Sequence, residues 1–177
     1  MLNDPIEAWH DAFCSIRSRS GSGSGNSGIT WEVMQGELAK VKQTILALPA
    51  KQLDIGMVMF APDDVQGNYL NRVEQMVYRA LVDAKPERVK SFKQIRRLSL
   101  LVDALLLRCR RELNNPEAKV ADAEMAVTLG IQASAYYRDY KEDSEQVIAM
   151  MNRYAHDALI QVGYTCDAIH RQYRLSA

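Results

Sequence analysis

Five polar side chains between residues 132 and 141 have the chemistry of a nucleic-acid contact. Amide, hydroxyl, phenol, guanidinium and ammonium groups donate hydrogen bonds to base edges and to phosphates. If this segment is helical, they face away from Leu129, Ile131 and Tyr136, which are spaced to pack inward. The candidate DNA-contacting residues are therefore Gln132, Ser134, Tyr137, Arg138 and Lys141.

A helix-turn-helix is the element that would position those side chains. Good helix formers between Ala121 and Leu129 precede Gly130, a residue suited to the positive φ just past a helix end. Ala126 offers a small side chain where two helices would approach. The pattern predicts a helix-turn-helix at about 120–141, whose second helix is of the kind that enters a major groove. An ordinary corner between two helices of an all-α protein fits the same pattern.

Charge limits how such a corner would bind DNA. Asp139, Glu142 and Asp143 lie in or just after the second helix, where phosphates would repel them. The whole chain has 22 basic and 22 acidic residues, so its formal net charge is zero. Binding to DNA must therefore depend on local patches or on a partner, rather than on bulk attraction.

The most basic segment is a helix predicted from Pro86 to about Leu113. Its apolar residues recur at alternating intervals of three and four, which predicts the central core helix. The candidate contacts to phosphate or to a protein partner on its surface are Arg96, Arg97, Arg108, Arg110 and Arg111. A solvated face, stabilised at its end by the negative helix C-terminus, explains the same arginines.

The remaining segments predict a compact all-α bundle of five or six helices. A second helix is expected from Thr30, its N-cap, to Leu48, a third from Asn68 to Val82, and a long last helix capped by Asp143. One apolar stripe is predicted along the last helix: Val147, Met151, Ala155, Ala158, Val162, Cys166, Ile169 and Tyr173. Residues 50–66 are expected to be irregular, with a short strand at 56–60 as an alternative.

The N-terminal part divides from the rest at a glycine- and serine-rich stretch. Residues 1–18 predict an amphipathic helix capped by Asp4, with Ile6, Trp9 and Phe13 on its apolar side. Residues 19–28 predict a flexible loop or linker, of natural or engineered origin, and 29–177 form the helical domain that contains the helix-turn-helix.

No pattern of catalytic residues is present, so we expect neither an enzyme nor a small-molecule substrate. Phosphate-binding glycine loops, nucleophile elbows and zinc-protease motifs are absent from the sequence. The three histidines do not fall into a metal-ligand spacing with each other, and the three cysteines are far apart, so no metal or cofactor is expected. Without a leader-like start or a long apolar run, the sequence indicates a cytoplasmic protein with no membrane partner.

The last 80 residues resemble the Q antitermination proteins of lambdoid phages and their prophage relatives. The resemblance lies in AEMAVTLGIQASAYYRDYKEDSEQVIAMM, from Ala123 to Met151, with the aromatic–aromatic–Arg cluster at Tyr136, Tyr137 and Arg138. The preceding LLVDALLLRCRREL and the opening AWHDAF are compatible with it. The chain lacks the paired cysteines of the zinc-containing members.

The resemblance implies a mechanism and two partners. Such proteins bind DNA near a late promoter, load onto paused RNA polymerase and modify it so that terminators are read through. DNA and RNA polymerase are therefore the implied partners, and the five polar residues of the second helix carry over as the DNA contacts.

A different class of function also fits the sequence. The chain would then be a helical adaptor or chaperone-like interaction module, with residues 1–20 acting as a tethered partner peptide. That peptide would lie in a groove through Ile6, Trp9 and Phe13, held by the linker at a high local concentration.

Overall fold

The chain folds into α-helices, as expected, but into more of them than the sequence predicted. The computed structural model describes residues 2, 4–14, 31–115 and 117–176. Within them lie eight α-helices and no strand: α1 Pro5–Phe13, α2 Trp31–Leu46, α3 Ala50–Phe60, α4 Asp63–Ala84, α5 Phe92–Asn114, α6 Asp122–Thr128, α7 Ala133–Asp139 and α8 Lys141–Ser176. None of the helices in these residues combines the length and apolarity needed to cross a bilayer.

Helix α8 is the longest helix among the described residues, and most of the other helices pack against it. It runs for 36 residues and packs against α1, α2, α3, α4, α5 and α7. Its inward side carries one stripe of buried residues, as the sequence predicted: Val147, Met151, Ala155, Ala158, Val162, Cys166 and Ile169. The stripe recurs at intervals of three and four residues, so one side of the helix faces the core along most of its length.

Helix α3 corrects the prediction that residues 50–66 are irregular. Ala50–Phe60 is helical, and neither irregular chain nor a strand occurs at 56–60. Every residue from Ile55 to Phe60 is buried. A segment covered on all sides has no polar face, so the helical period on which the prediction depended is missing from its sequence.

Helix α4 begins five residues before the predicted start at Asn68. Gly67 interrupts it with φ of 20°, which separates a first turn at Asp63 from the regular helix that follows. The predicted helix therefore corresponds to the part of α4 after this kink.

Two other predicted helix starts are also wrong. Pro86–Val89 forms a separate 3₁₀ turn, and α5 begins after Ser91, whose hydroxyl accepts a hydrogen bond from the Gln94 N–H. Phe92 is one of the apolar residues whose spacing predicted the core side of this helix, but it is 83% exposed at the new start. Asp143 does not cap α8; it lies in the first turn of that helix and its side chain is buried.

Helix α1 is part of the core, anchored by a tryptophan. Asp4 caps it as predicted, accepting a 2.8 Å hydrogen bond from the Ile6 N–H, but the helix ends at Phe13 rather than Ser18. Helix α1 packs against α2, α3 and α8, and Trp9 is fully buried, with its ring 5.6 Å from that of Phe60 in α3. The glycine- and serine-rich stretch and the predicted cap Thr30 lie outside the described residues.

Gly56 is the residue of α3 that makes room for this tryptophan. A Cβ built on Gly56 would lie 2.5 Å from Cζ2 of the Trp9 indole, well inside van der Waals contact. We expect Gly56→Ala to lower the free energy of unfolding by about 1–3 kcal/mol, because the gain in helix propensity is smaller than the overpacking cost. Urea denaturation measures it.

Gly36→Ala is the matched control, since Gly36 is also helical and a Cβ there meets nothing within 4 Å. That variant should be more stable than wild type by about 0.5–1 kcal/mol. Equal stabilisation by both substitutions would show that α1 does not lie against α3 in solution.

Candidate nucleic-acid interface

The predicted corner is present as two short helices joined by a tight turn. Gly130 has φ of 61°, the left-handed conformation that its position required. Its N–H donates to the Val127 carbonyl at 3.0 Å, and the Ile131 N–H donates to the Ala126 carbonyl at 3.1 Å. This pair of bonds is a Schellman motif, which satisfies the last carbonyls of α6 and reverses the chain into α7.

Apolar packing holds the inside of the corner as the sequence predicted. Ala126, Leu129 and Tyr136 are buried, and Ile131 is half-buried against the same core. Burial raises the pKa of the Tyr136 phenol above its usual value. The corner is thus packed onto the bundle, which fixes the side of α7 that faces outward.

Four of the five candidate DNA contacts belong to the exposed side of α7. Gln132 is its N-terminal flanking residue, and Ser134, Tyr137 and Arg138 are exposed along it. Tyr137 lies edge-on to the buried ring of Tyr136. Lys141 differs from these four, because it begins α8 and is only partly exposed.

Arg138 is paired with the carboxylate that follows it. Its Nε and Nη2 donate to the two oxygens of Asp139, both at 2.8 Å. These hydrogen bonds lower the pKa of Asp139 and raise that of Arg138. The pair is well exposed, and exposed pairs contribute little stability. The Arg138 guanidinium can therefore turn to another anion at low cost.

The Lys141 side chain is part of an ion cluster between α5, α6 and α8. Its Nζ lies 3.0 Å from Asp122, which also accepts a hydrogen bond from Arg108 at 3.1 Å. Arg108 is held on its other side by Glu112 at 3.0 Å. Burial alone would raise the pKa of Asp122, but the hydrogen bonds from Lys141 and Arg108 outweigh it and lower that pKa.

A second ion cluster holds the junction of α7 and α8. Arg88, buried in the 3₁₀ turn, donates to the carbonyls of Leu81 and Asp139 and to the Asp143 carboxylate, and its guanidinium lies over the Tyr140 ring. The Lys85 ammonium is 3.2 Å from the same Asp143 carboxylate. Sequence reasoning missed this cluster, because its members are more than 50 residues apart.

The electrostatic balance of the corner is acidic. From Val120 to Glu145 the sequence has six carboxylates and two cations. Lys85 and Arg88 neutralise Asp143 from outside this segment, but Glu124, Glu142 and Glu145 are exposed. Phosphate attraction at this surface is therefore weak, and hydrogen bonds from Gln132, Ser134 and Tyr137 would have to supply much of any DNA contact.

The arginines predicted as phosphate or partner contacts divide into two groups. Arg108 and Arg110 are structural: the first belongs to the Asp122 cluster, and the second bonds Asp63 at 2.6 Å and the Ala61 carbonyl at 3.3 Å. Arg96 and Arg111 are exposed and Arg97 is half-buried. Among the described residues, no carboxylate lies within 4.0 Å of these last three guanidinium groups.

No family model matches the chain, and comparisons with curated proteins and with solved structures give no match either.

Asp122 offers a test of how the corner is attached. We expect Asp122→Asn to lower the free energy of unfolding by about 1–2 kcal/mol at pH 7, because two cations lose their shared carboxylate. The folded-state pKa of Asp122 lies below its unfolded value. Its stabilisation is therefore present above about pH 3.9 and is lost as the pH falls through the lower folded-state pKa.

Urea denaturation over a pH series measures both effects. Wild type should lose more stability on acidification than Asp122→Asn, and the two should converge in strong acid. Asp167→Asn, at an exposed position in the C-terminal half of α8, is the control and should follow wild type. Parallel curves for all three proteins would show that the Asp122 cluster adds nothing to stability.

Proposed function

We propose that this protein is a DNA-binding transcription regulator of the phage antiterminator type. The observation that carries the proposal is the corner at Gly130, a Schellman turn between two short helices that leaves the side chains of Gln132, Ser134, Tyr137 and Arg138 exposed. In this proposal α7 contacts a promoter-proximal DNA element, while the protein also binds RNA polymerase and makes it read through terminators. The resemblance of residues 123–151 to Q proteins supports the same function.

The acidic balance of the corner means that DNA alone would be bound weakly. The proposal therefore needs a second contact, and a face of α5 is the candidate. Phe92, Leu100 and Leu107 lie on one side of that helix, at 83%, 36% and 70% exposure. Arg96 and Arg111 lie on the same side at helical spacing. Apolar residues flanked by arginines suit a polymerase surface with apolar residues ringed by carboxylates.

Arg138 is the residue with which to test DNA binding. We expect the protein to bind a labelled random duplex weakly, with an affinity that falls as salt rises. Arg138→Ala should reduce the slope of log affinity against log salt by about one, the loss of one phosphate contact. Fluorescence anisotropy over a salt series measures this. Lys141 is unsuitable for this test of DNA binding, because its replacement would also break the ion pair with Asp122.

Arg171→Ala is the matched control, since Arg171 is exposed near the far end of α8, about 45 Å from Lys141 by helical rise. It removes the same charge and should leave the slope unchanged.

A gel shift on late-promoter DNA with RNA polymerase tests the contact that DNA and polymerase would share. An absence of binding with and without polymerase would rule out the proposed function.

A second function is favoured by the way α1 is held. Trp9 fills a slot over Gly56, and Lys42 lies over the Phe13 ring at 5.0 Å. A short amphipathic helix anchored by one large aromatic residue is how many helical peptides bind a groove. The chain would then be a helical adaptor or chaperone-like module, with α1 as the occupant of its own groove.

Cutting the chain between α1 and α2 separates the two proposals. A specific protease site can be inserted between Gly23 and Ser24. After complete cleavage, native mass spectrometry on dilution reports whether the N-terminal fragment stays bound. The adaptor proposal predicts dissociation at micromolar concentration with the helical content of the remainder retained. A fragment that stays bound, or a remainder that unfolds, would show that α1 is only part of the core.

A further inference from the structure

The last turn of α1 brings together three side chains of the types that bind transition metals. His10 and Cys14 are four residues apart, and the His10 Nδ1 lies 3.2 Å from the Cys14 Sγ. The Asp11 carboxylate approaches from the same side, with Oδ1 4.0 Å from Nδ1. One ligand atom from each of the three residues lies within 4.8 Å of the other two.

The two distances from the His10 Nδ1 are close to those of a coordination sphere. A tetrahedral zinc ion, with Zn–S of about 2.3 Å and Zn–N of about 2.0–2.1 Å, places sulfur and nitrogen roughly 3.5 Å apart. The sulfur–nitrogen distance here is only a few tenths of an ångström shorter. A nitrogen–oxygen separation of roughly 3.4 Å in the same geometry needs Asp11 to close by about half an ångström. The His10 side chain is exposed, and a rotation of its ring can provide this shift.

The donor set indicates which metal would bind. Thiolate and imidazole ligands favour zinc and its borderline or soft neighbours, whereas magnesium and calcium prefer oxygen ligands. Three protein ligands leave one position of a tetrahedral ion open to water. His10 and Asp11 also line a cleft of about 380 Å³, together with Glu7, Phe60 and Asn114. The open position therefore has room for water or for the Glu7 carboxylate.

We propose that His10, Asp11 and Cys14 form a binding site for a zinc-type divalent ion. On binding, the Cys14 thiol loses its proton to solvent and the thiolate ligates the metal. The ion links residues of the final turn of α1, one residue after Trp9, so it stabilises the helical conformation of that turn and with it the folded state. The sequence expectation of no metal missed this site, because its ligands are three different residue types within one helical turn.

Cobalt is the probe for this site, because a thiolate bound to Co²⁺ gives an intense charge-transfer absorption in the near ultraviolet. Titration of the reduced full-length protein should produce this band with one Co²⁺ per chain, and excess Zn²⁺ should abolish it. Cys14→Ser should remove the band, and His10→Ala should weaken Co²⁺ binding by at least about tenfold. Zn²⁺ should raise the thermal midpoint of wild type but not that of Cys14→Ser.

His156→Ala is the matched control, because His156 is exposed on α8, outside this cluster. It should bind Co²⁺ as wild type does, and circular dichroism should show equal helix content in every variant. A band that persists in Cys14→Ser would assign the metal to another thiol and overturn the proposal. So would the absence of any band at saturating Co²⁺, or an equal affinity in His10→Ala.

Discussion

The fold depends on one constraint, which is that a single apolar stripe on α8 must be covered by many short helices. At 36 residues α8 is about 54 Å long, and no other helix among the described residues matches its length. Ala155 and Ala158, both fully buried, let neighbouring backbones come close near the middle of the stripe. Burial of this stripe brings α1 and the α6–α7 corner onto the same body, although more than 100 residues separate them in the chain.

Charged groups then decide how the corner sits on that body. Arg88 reaches the α7–α8 junction from the 3₁₀ turn, and Asp122 joins α6 to α5 and α8 through two cations. Partly buried ion pairs add little net stability over apolar packing, but they allow few alternative geometries. Burial of Leu129 and Tyr136 attaches the corner and sets its outward side, and these polar contacts further restrain that orientation.

The sequence predicted what local patterns determine and missed what long-range contacts determine. The α8 stripe, the Asp4 cap and the turn at Gly130 each follow from residues within one or two helical turns, and all three are confirmed. Helix α3 was missed because burial on every side removes periodicity, and Asp143 looked like a cap because its partner Arg88 is 55 residues away. For the candidate interface, local pattern identified the exposed side of α7, but not that Lys141 is held by Asp122.

The fit of Trp9 against Gly56 has a consequence for molecular selectivity. The slot exists because α3 lacks a side chain at one position, so its shape is that of a flat ring lying on bare backbone. A competing helix with a small aliphatic residue there would leave a void the size of an indole, a loss of about 3–5 kcal/mol by analogy with truncated aromatic residues. The slot thus discriminates among helices by a single residue. Because Trp9 of α1 fits this slot, α1 excludes other helices from that part of α3.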